Sequence, residues 1–293
     1  MMLVVTRRIV LAGVLAALWG TGCAAAKRFP VAGMVLRVDK NDKVLVVSHG
    51  EIKGYMPAMI MPFRVPEAAA LDLLEPGMNI EFTLVVDKTE SWAERVRLAG
   101  GVTIERDPSF QVPKPVTGKA VARGERVPDF TLLDQHNRRV KLSDLAGKVV
   151  AVTFIYTRCP LPDYCPRLSA NFQRVQTRFQ DRVGKDLVLV SITLDPQYDR
   201  PEVLAQYARG FKADPEGWRF LTGSLDDIKK VGGSFGVEFW AEDYQITHNV
   251  RTAVIDRQGR LAANLPGKDY TAQQVGDLVE ETLRGGVSAG GMR

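Results

Sequence analysis

The 293-residue chain is poor in the residues that most often mark a chemical site: it has three cysteines and three histidines. Three cysteines cannot build a disulfide scaffold, and so few histidines can each be weighed separately. Long apolar runs are absent too. The N-terminal stretch Ile9–Trp19 has 11 residues, short of the roughly 20 that a membrane-crossing helix needs. Charge of one sign is not concentrated: 39 Lys and Arg stand against 34 Asp and Glu. Arg7 and Arg8 lie in a segment expected to be removed, which leaves about +3, too little to argue for a nucleic-acid partner. No internal repeat is visible. What is there is ordinary globular composition, 45% hydrophobic and 25% charged, which excludes wholesale disorder. The length predicts two domains, or one large one.

The first residues carry an address. Thr6-Arg7-Arg8, the apolar Ile9–Trp19 and the small residues Gly20-Thr21-Gly22 before Cys23 follow the order of an export signal, residues 1–22. Cys23 after Thr-Gly resembles the acylation site of a bacterial lipoprotein. Gly20 departs from that pattern, which usually has Leu there. An ordinary secretory signal cut among Ala24 to Ala26 is the alternative, and the paired arginines resemble a twin-arginine signal. Each reading places the mature protein outside the cytoplasm, where thiols can be oxidised. The expectation is a periplasmic protein held to a membrane by a lipid on Cys23; Ala24 resembles outer-membrane sorting. Acylation of Cys23 leaves Cys159 and Cys165 as the side-chain thiols.

The body divides in two. Val31–Asp39, Lys43–His49, Met59–Val65, Asn79–Asp87 and Ala93–Leu98 have strand character with turn residues between them. Five short strands over 29–104 predict a small all-β, OB-like closed barrel. Residues 105–123, with Pro108, Pro113 and Pro115, form a stiffened linker. From 124 to 286 the pattern is α/β. Val149–Tyr156 and Leu187–Leu194 are continuous apolar runs, as strands buried on both faces should be. Leu168, Phe172, Val175 and Phe179 recur at helical spacing. Pro201–Gly210 and Leu225–Phe235 predict further helices, Val250–Asp256 and Arg260–Leu265 a hairpin, and Ala272–Leu283 a closing helix. That order is thioredoxin-like. Residues 287–293 are expected to be a disordered tail.

Cys159 and Cys165 flank Pro160-Leu161-Pro162-Asp163-Tyr164 between a buried strand and a helix. The prolines restrict the loop, and a thiol near a helix N-terminus is biased toward thiolate. Thiolate both binds soft metals and attacks disulfides, so the loop alone leaves metal binding and redox chemistry open. Tyr156-Thr157-Arg158-Cys159-Pro160, Cys165-Pro166, Thr193-Leu194-Asp195-Pro196, Trp218–Gly223, Phe235-Gly236-Val237 and His248, in that order, resemble the Sco/SenC family of copper-handling thioredoxin-like proteins. The resemblance implies a copper site of Cys159, Cys165 and His248, for Cu(I) or Cu(II). It also implies a role in assembling the copper centre of cytochrome c oxidase, so that an oxidase subunit is the expected recipient; some members act mainly on disulfides. The departure is the cysteine spacing, five intervening residues where the family usually has three. Asp195 is a candidate acceptor that orients a ligand, or a cap for the Pro196 loop. His136, in a polar turn, is expected at the surface.

The barrel segment holds three methionines in six residues, Met56, Met59 and Met61. Along a strand, 59 and 61 face the same way. Thioether and imidazole suit Cu(I), although methionine is also a ready gap-filler in cores. The segment His49–Phe63 resembles CusF-like periplasmic copper-binding domains, which bind Cu(I) through one His and two Met beneath an aromatic. His49, Met59 and Met61 match those ligands. Met56 stands where that pattern has tryptophan, so it is a weaker candidate ligand and the cation–π cover is expected to be missing. The whole then predicts an exported copper metallochaperone with two sites, copper passing from barrel to thioredoxin-like domain across the linker. The alternative is a thiol-disulfide oxidoreductase using Cys159 and Cys165, with a copper-sensing or buffering barrel.

Overall fold

The computed structural model describes residues 26–99, 120–242 and 245–285. Cys23, expected to be acylated, nearly all of the linker and the tail lie outside the described residues. Five strands make the N-terminal domain: β1 (Lys27–Asp39), β2 (Val44–His49), β3 (Met59–Arg64), β4 (Asn79–Val86) and β5 (Ser91–Leu98). They form one antiparallel sheet in the order β3-β2-β1-β4-β5. β3 and β5 come near each other as the sheet curls, but no ladder joins them, so the sheet is rolled rather than closed as expected. Alternation decides the interior. Val31, Val35, Leu45, Val47, Phe63, Phe82 and Leu84 point inward into one core. A bulge between Val35 and Arg37 bends β1.

The second domain opens with a hairpin, β6 (Thr131–Leu133) and β7 (Arg139–Lys141), and then β8 (Val149–Ile155). α1 (Cys165–Arg178), β9 (Leu187–Thr193), α2 (Pro201–Gly210), β10 (Trp218–Leu221) and α3 (Leu225–Ser234) follow. A ribbon, β11 (Phe239–Glu242) and β12 (Gln245–His248), leads to β13 (Arg251–Ile255), β14 (Leu261–Pro266) and α4 (Ala272–Leu283). The central sheet runs β10-β9-β8-β13-β14, parallel through β10, β9 and β8 and antiparallel beyond. Every residue of β8 and β9 is buried, because α1, α2 and α4 cover one face and α3 with the β6–β7 hairpin covers the other. Proline sets the starts of α1 and α2. Ser224 caps α3, and Thr271 with Gln274 forms a reciprocal capping box on α4. The thioredoxin-like order is as expected. The short elements β6, β7, β10, β11 and β12 are additions to the sequence reading.

Candidate metal centres

The first centre is built by strand register. β2 and β3 pair His49 with Met59 and Val47 with Met61, so His49, Met59 and Met61 share one face of the sheet. His49 is buried, its ring edge-on to Phe63 at 5.6 Å. Its Nδ1 lies 2.6 Å from the Gly50 carbonyl. A carbonyl can only accept, so Nδ1 carries the proton and Nε2 presents a bare lone pair. That Nε2 is buried and has no hydrogen-bond partner. An unsatisfied buried acceptor costs about 1–3 kcal/mol, and a soft cation between it and two thioethers would remove the deficit. The residues therefore fit Cu(I). Met59 is 40% exposed, which leaves an entry path, while Met61 packs against the barrel core. Met56 also packs there, held by an isolated bridge to Ile52. Gly33 on β1 completes the setting: a Cβ there would lie 2.6 Å from Val47 Cγ1 and 2.9 Å from His49 Cα.

The second centre sits where β8 hands the chain to α1. Cys165 is the first residue of α1 and fully buried, and Cys159 is half-buried; both are free thiols. They are hydrogen-bonded to each other. Cys165 donates to the Cys159 sulfur, which holds the Cys159 pKa down at about 5. Burial opposes that, and the backbone N–H groups of Cys165 and Leu161 and the Tyr156 hydroxyl assist it. The same bond, together with burial, pushes the Cys165 thiol well above its ordinary range. At neutral pH the pair is therefore one thiolate, Cys159, and one thiol, Cys165.

His248 ends β12, opposite Phe239. Its Nδ1 lies 2.8 Å from the Asn249 carbonyl, which again fixes the tautomer with Nε2 unprotonated. Burial holds its pKa below the ordinary imidazole value, against the Asn249 bond and the charge of Cys159. The imidazole is thus neutral and ready to ligate. Tyr156 interacts with both candidate donors: its ring meets His248 at 5.9 Å, edge to face, and its hydroxyl reaches Cys159. Burial, with the Cys159 charge, pushes that phenol up to about 12. Among the described residues, no three His, Cys, Asp or Glu side chains close into a ready metal-binding group. Cys159 and Cys165 are together, and Tyr156 meets both Cys159 and the His248 ring.

Asp195 sits beside this centre with its carboxylate spent on Arg158, at 2.9 and 2.6 Å, while the Arg158 guanidinium covers the Tyr198 ring. The residue that grips the cysteine loop is Asp199. It is fully buried and accepts from Thr157 N at 3.0 Å, from the Thr157 hydroxyl and from Thr193 Oγ1 at 2.6 Å. Burial pushes its carboxyl up. Asp199 is not marked by any sequence motif, and Tyr156 enters the sequence reading only as part of the Tyr156–Pro160 motif, without a role of its own. Their partners are side chains and backbone brought close by the sheet, a signal that no local pattern carries. His136 is exposed, as expected.

Comparison with known proteins agrees with both halves. The SCO1/SenC family model matches residues 119–283, and the model described as copper binding periplasmic protein CusF matches residues 28–97. The chain belongs to the SCO1/SenC family and carries an N-terminal CusF-like domain. Protein sco1 of Schizosaccharomyces pombe is 33% identical over 156 residues, covering 50% of this chain and 56% of that protein. A SCO2-like protein of Rickettsia prowazekii is 32% identical over 158 residues, covering 51% of this chain and 73% of that one. The match thus spans little more than half of the fission-yeast protein. A crystal structure of an Aquifex aeolicus VF5 protein shares the fold at 23% identity with a TM-score of 0.50, over 56% of this chain and 95% of that one.

Proposed function

We propose that the protein is an exported copper metallochaperone with two copper centres. His49, Met59 and Met61 hold Cu(I) in the barrel, with Met56 as a weaker fourth donor. Cys159, Cys165 and His248 hold Cu(I) or Cu(II) in the thioredoxin-like domain. The recipient is a copper-receiving protein such as a cytochrome c oxidase subunit, and Cys23 carries the lipid that keeps the chaperone at the membrane. The observation that carries this reading is the buried, partnerless Nε2 of His49 on the face shared by Met59 and Met61; the family membership supports the second centre. Anaerobic Cu(I) loading tests it. The mature chain should hold two coppers, His49→Ala one, Cys159→Ser/Cys165→Ser one, and the combined variant none. A wild-type chain that holds one or none overturns the reading. X-ray absorption on each variant counts the sulfur and nitrogen neighbours.

A second reading is favoured by the split thiol pair, which pairs an attacking thiolate with a buried partner suited to resolve a mixed disulfide. In it the protein is a thiol-disulfide oxidoreductase whose barrel senses or buffers copper. His248→Ala separates the two. On the chaperone reading it weakens copper binding in the second domain and leaves insulin reduction intact; loss of reductase activity with copper retained favours the enzyme.

A further inference from the structure

The two halves of β1 serve different neighbours. The second half forms a seam with the thioredoxin-like domain: Met34 and Leu36 lie in one apolar cluster with Leu278 and Val279 of α4, and Arg37 pairs with Glu281 at 3.2 Å. The first half carries the other end of the barrel. Phe29 stacks on Tyr55, ring centroids 4.6 Å apart, which holds the β2–β3 loop against β1. Lys27 pairs with Val86, so the β4–β5 turn with Lys88 lies at this end too. In the β2–β3 loop and the start of β3, residues 53–60, every residue except Met56 is exposed, Tyr55 by 42% and Ile60 by 39%. The segment holds one lysine, Lys53, and no acid. A run of exposed apolar side chains of this kind marks a contact surface. Lys27 and Lys88 are exposed beside it. Of the acids at this end, Glu94 is held by Arg28 and Glu90 by Arg64, and Asp87 accepts from the Thr89 and Glu90 N–H groups. Glu51 is the one acid in residues 50–60.

Chain length says what covers this face. β1 begins at Lys27, four residues after Cys23, and four residues reach at most ~14 Å. A lipid on Cys23 holds the Lys27 end of the barrel within that distance of the bilayer surface. So short a tether makes a second contact intramolecular, at an effective concentration on the order of mM, and a modest patch is then enough. This patch has an interfacial make-up. Tyrosine joins an apolar body to a polar tip, Met59 and Ile60 add apolar area, and anionic headgroups attract the lysines. A soluble partner could reach any exposed face; the bilayer is the surface that the chain length brings to this one.

We propose that segment 53–60, with Lys27 and Lys88, seats on the anionic headgroups of the bilayer that holds the Cys23 lipid, so that the Met59 mouth of the barrel centre opens against the membrane. The seat rests on acylation of Cys23, and the mouth rests on the barrel copper site proposed above.

Lipid photo-crosslinking tests the seat. The mature chain carrying Cys159→Ser/Cys165→Ser is joined through Cys23, its remaining thiol, to a maleimide lipid in phosphatidylglycerol vesicles. The vesicles also contain a lipid with a diazirine on its headgroup, and captured peptides are mapped by mass spectrometry. Capture concentrated at residues 53–60, over the turn 40–43 at the opposite end of the barrel, supports the seat. Equal capture at both overturns it. In Lys53→Glu/Tyr55→Ser capture at 53–60 should fall about fivefold; unaltered capture overturns the proposal. Neither side chain is a copper donor, so the same variant also reads the mouth. With Cu(I) in the barrel, loss to a membrane-impermeant chelator on these vesicles should be slower from the unsubstituted loop than from the variant. Equal rates overturn the sheltered mouth. The premises are tested apart. A native Cys23 without lipid sinks the anchor reading, and a barrel that takes up no Cu(I) sinks the copper reading, while the maleimide tether still decides which face seats.

Discussion

At the scale of single residues, the chemistry is set by who donates to whom. Cys165 gives its proton to the hydrogen bond, and Cys159 becomes the thiolate, titrating near 5. Its folded value lies below the ordinary thiol value, so the stabilisation it contributes is complete above that ordinary value. It is lost as pH falls through about 5. Iodoacetamide should therefore modify Cys159 with a rate midpoint near pH 5, while Cys165 stays unmodified in the native chain. Cys165→Ala removes the largest stabilising cause and should raise that midpoint further than Tyr156→Phe, which removes a smaller one. A wild-type midpoint above pH 8 contradicts the assignment of roles. The candidate metal donors stand out in the sequence because His, Cys and clustered Met are scarce here, and scarcity makes spacing informative. Tyr156 and Asp199 do not, since a tyrosine at a strand end and an aspartate in a turn look the same whether they face solvent or a thiol.

At the scale of elements, the sequence pattern served long segments and failed short ones. β8 and β9 are seven-residue apolar runs, and α1 carries Leu168, Phe172 and Val175 on one buried face. Three- and four-residue strands such as β6, β7, β10, β11 and β12 are too short for a period to show. They exist because a neighbouring strand supplies the ladder. Two substitutions probe elements that position the centres. Gly33→Ala would push a methyl to 2.7 Å from the Ser48 carbonyl oxygen, a backbone atom that cannot swing away. The β1–β2 register beside His49 must shift, so Cu(I) affinity of the barrel should fall at least tenfold while thiol-site affinity is unchanged, as competition with a chromophoric chelator would show. Thr271→Ala removes the hydroxyl that accepts from Gln274 N at 3.2 Å. It should cost about 1 kcal/mol, or roughly 2–4 °C in thermal midpoint for a chain of this size, and should leave both copper stoichiometries intact. Equal loss of copper from both centres would make the cap more than a local device.

At the scale of the whole molecule, the question is whether two domains unfold as one. The sequence carries the clue: Met34-Val35-Leu36 and Val44-Leu45-Val46-Val47 are unbroken apolar runs, where a half-solvated barrel strand should alternate. Both faces of β1 and β2 are buried because one serves the barrel core and the other serves α4. Shared burial couples the domains energetically. Met34→Ala deletes a fully buried side chain at the seam, a change that costs roughly 2–5 kcal/mol in a core. Calorimetry of the metal-free chain should give one transition with calorimetric and van't Hoff enthalpies equal. Cu(I) supplied to Cys159→Ser/Cys165→Ser, which keeps only the barrel centre, should stabilise by about 2.7 kcal/mol at a hundredfold excess over the dissociation constant. Through the seam that gain must reach the thioredoxin-like domain, so near-ultraviolet signals from its buried Trp218 should shift to the same higher temperature as the barrel. Two transitions, with copper moving the barrel alone, would mean that the seam holds the domains side by side without joining their stabilities.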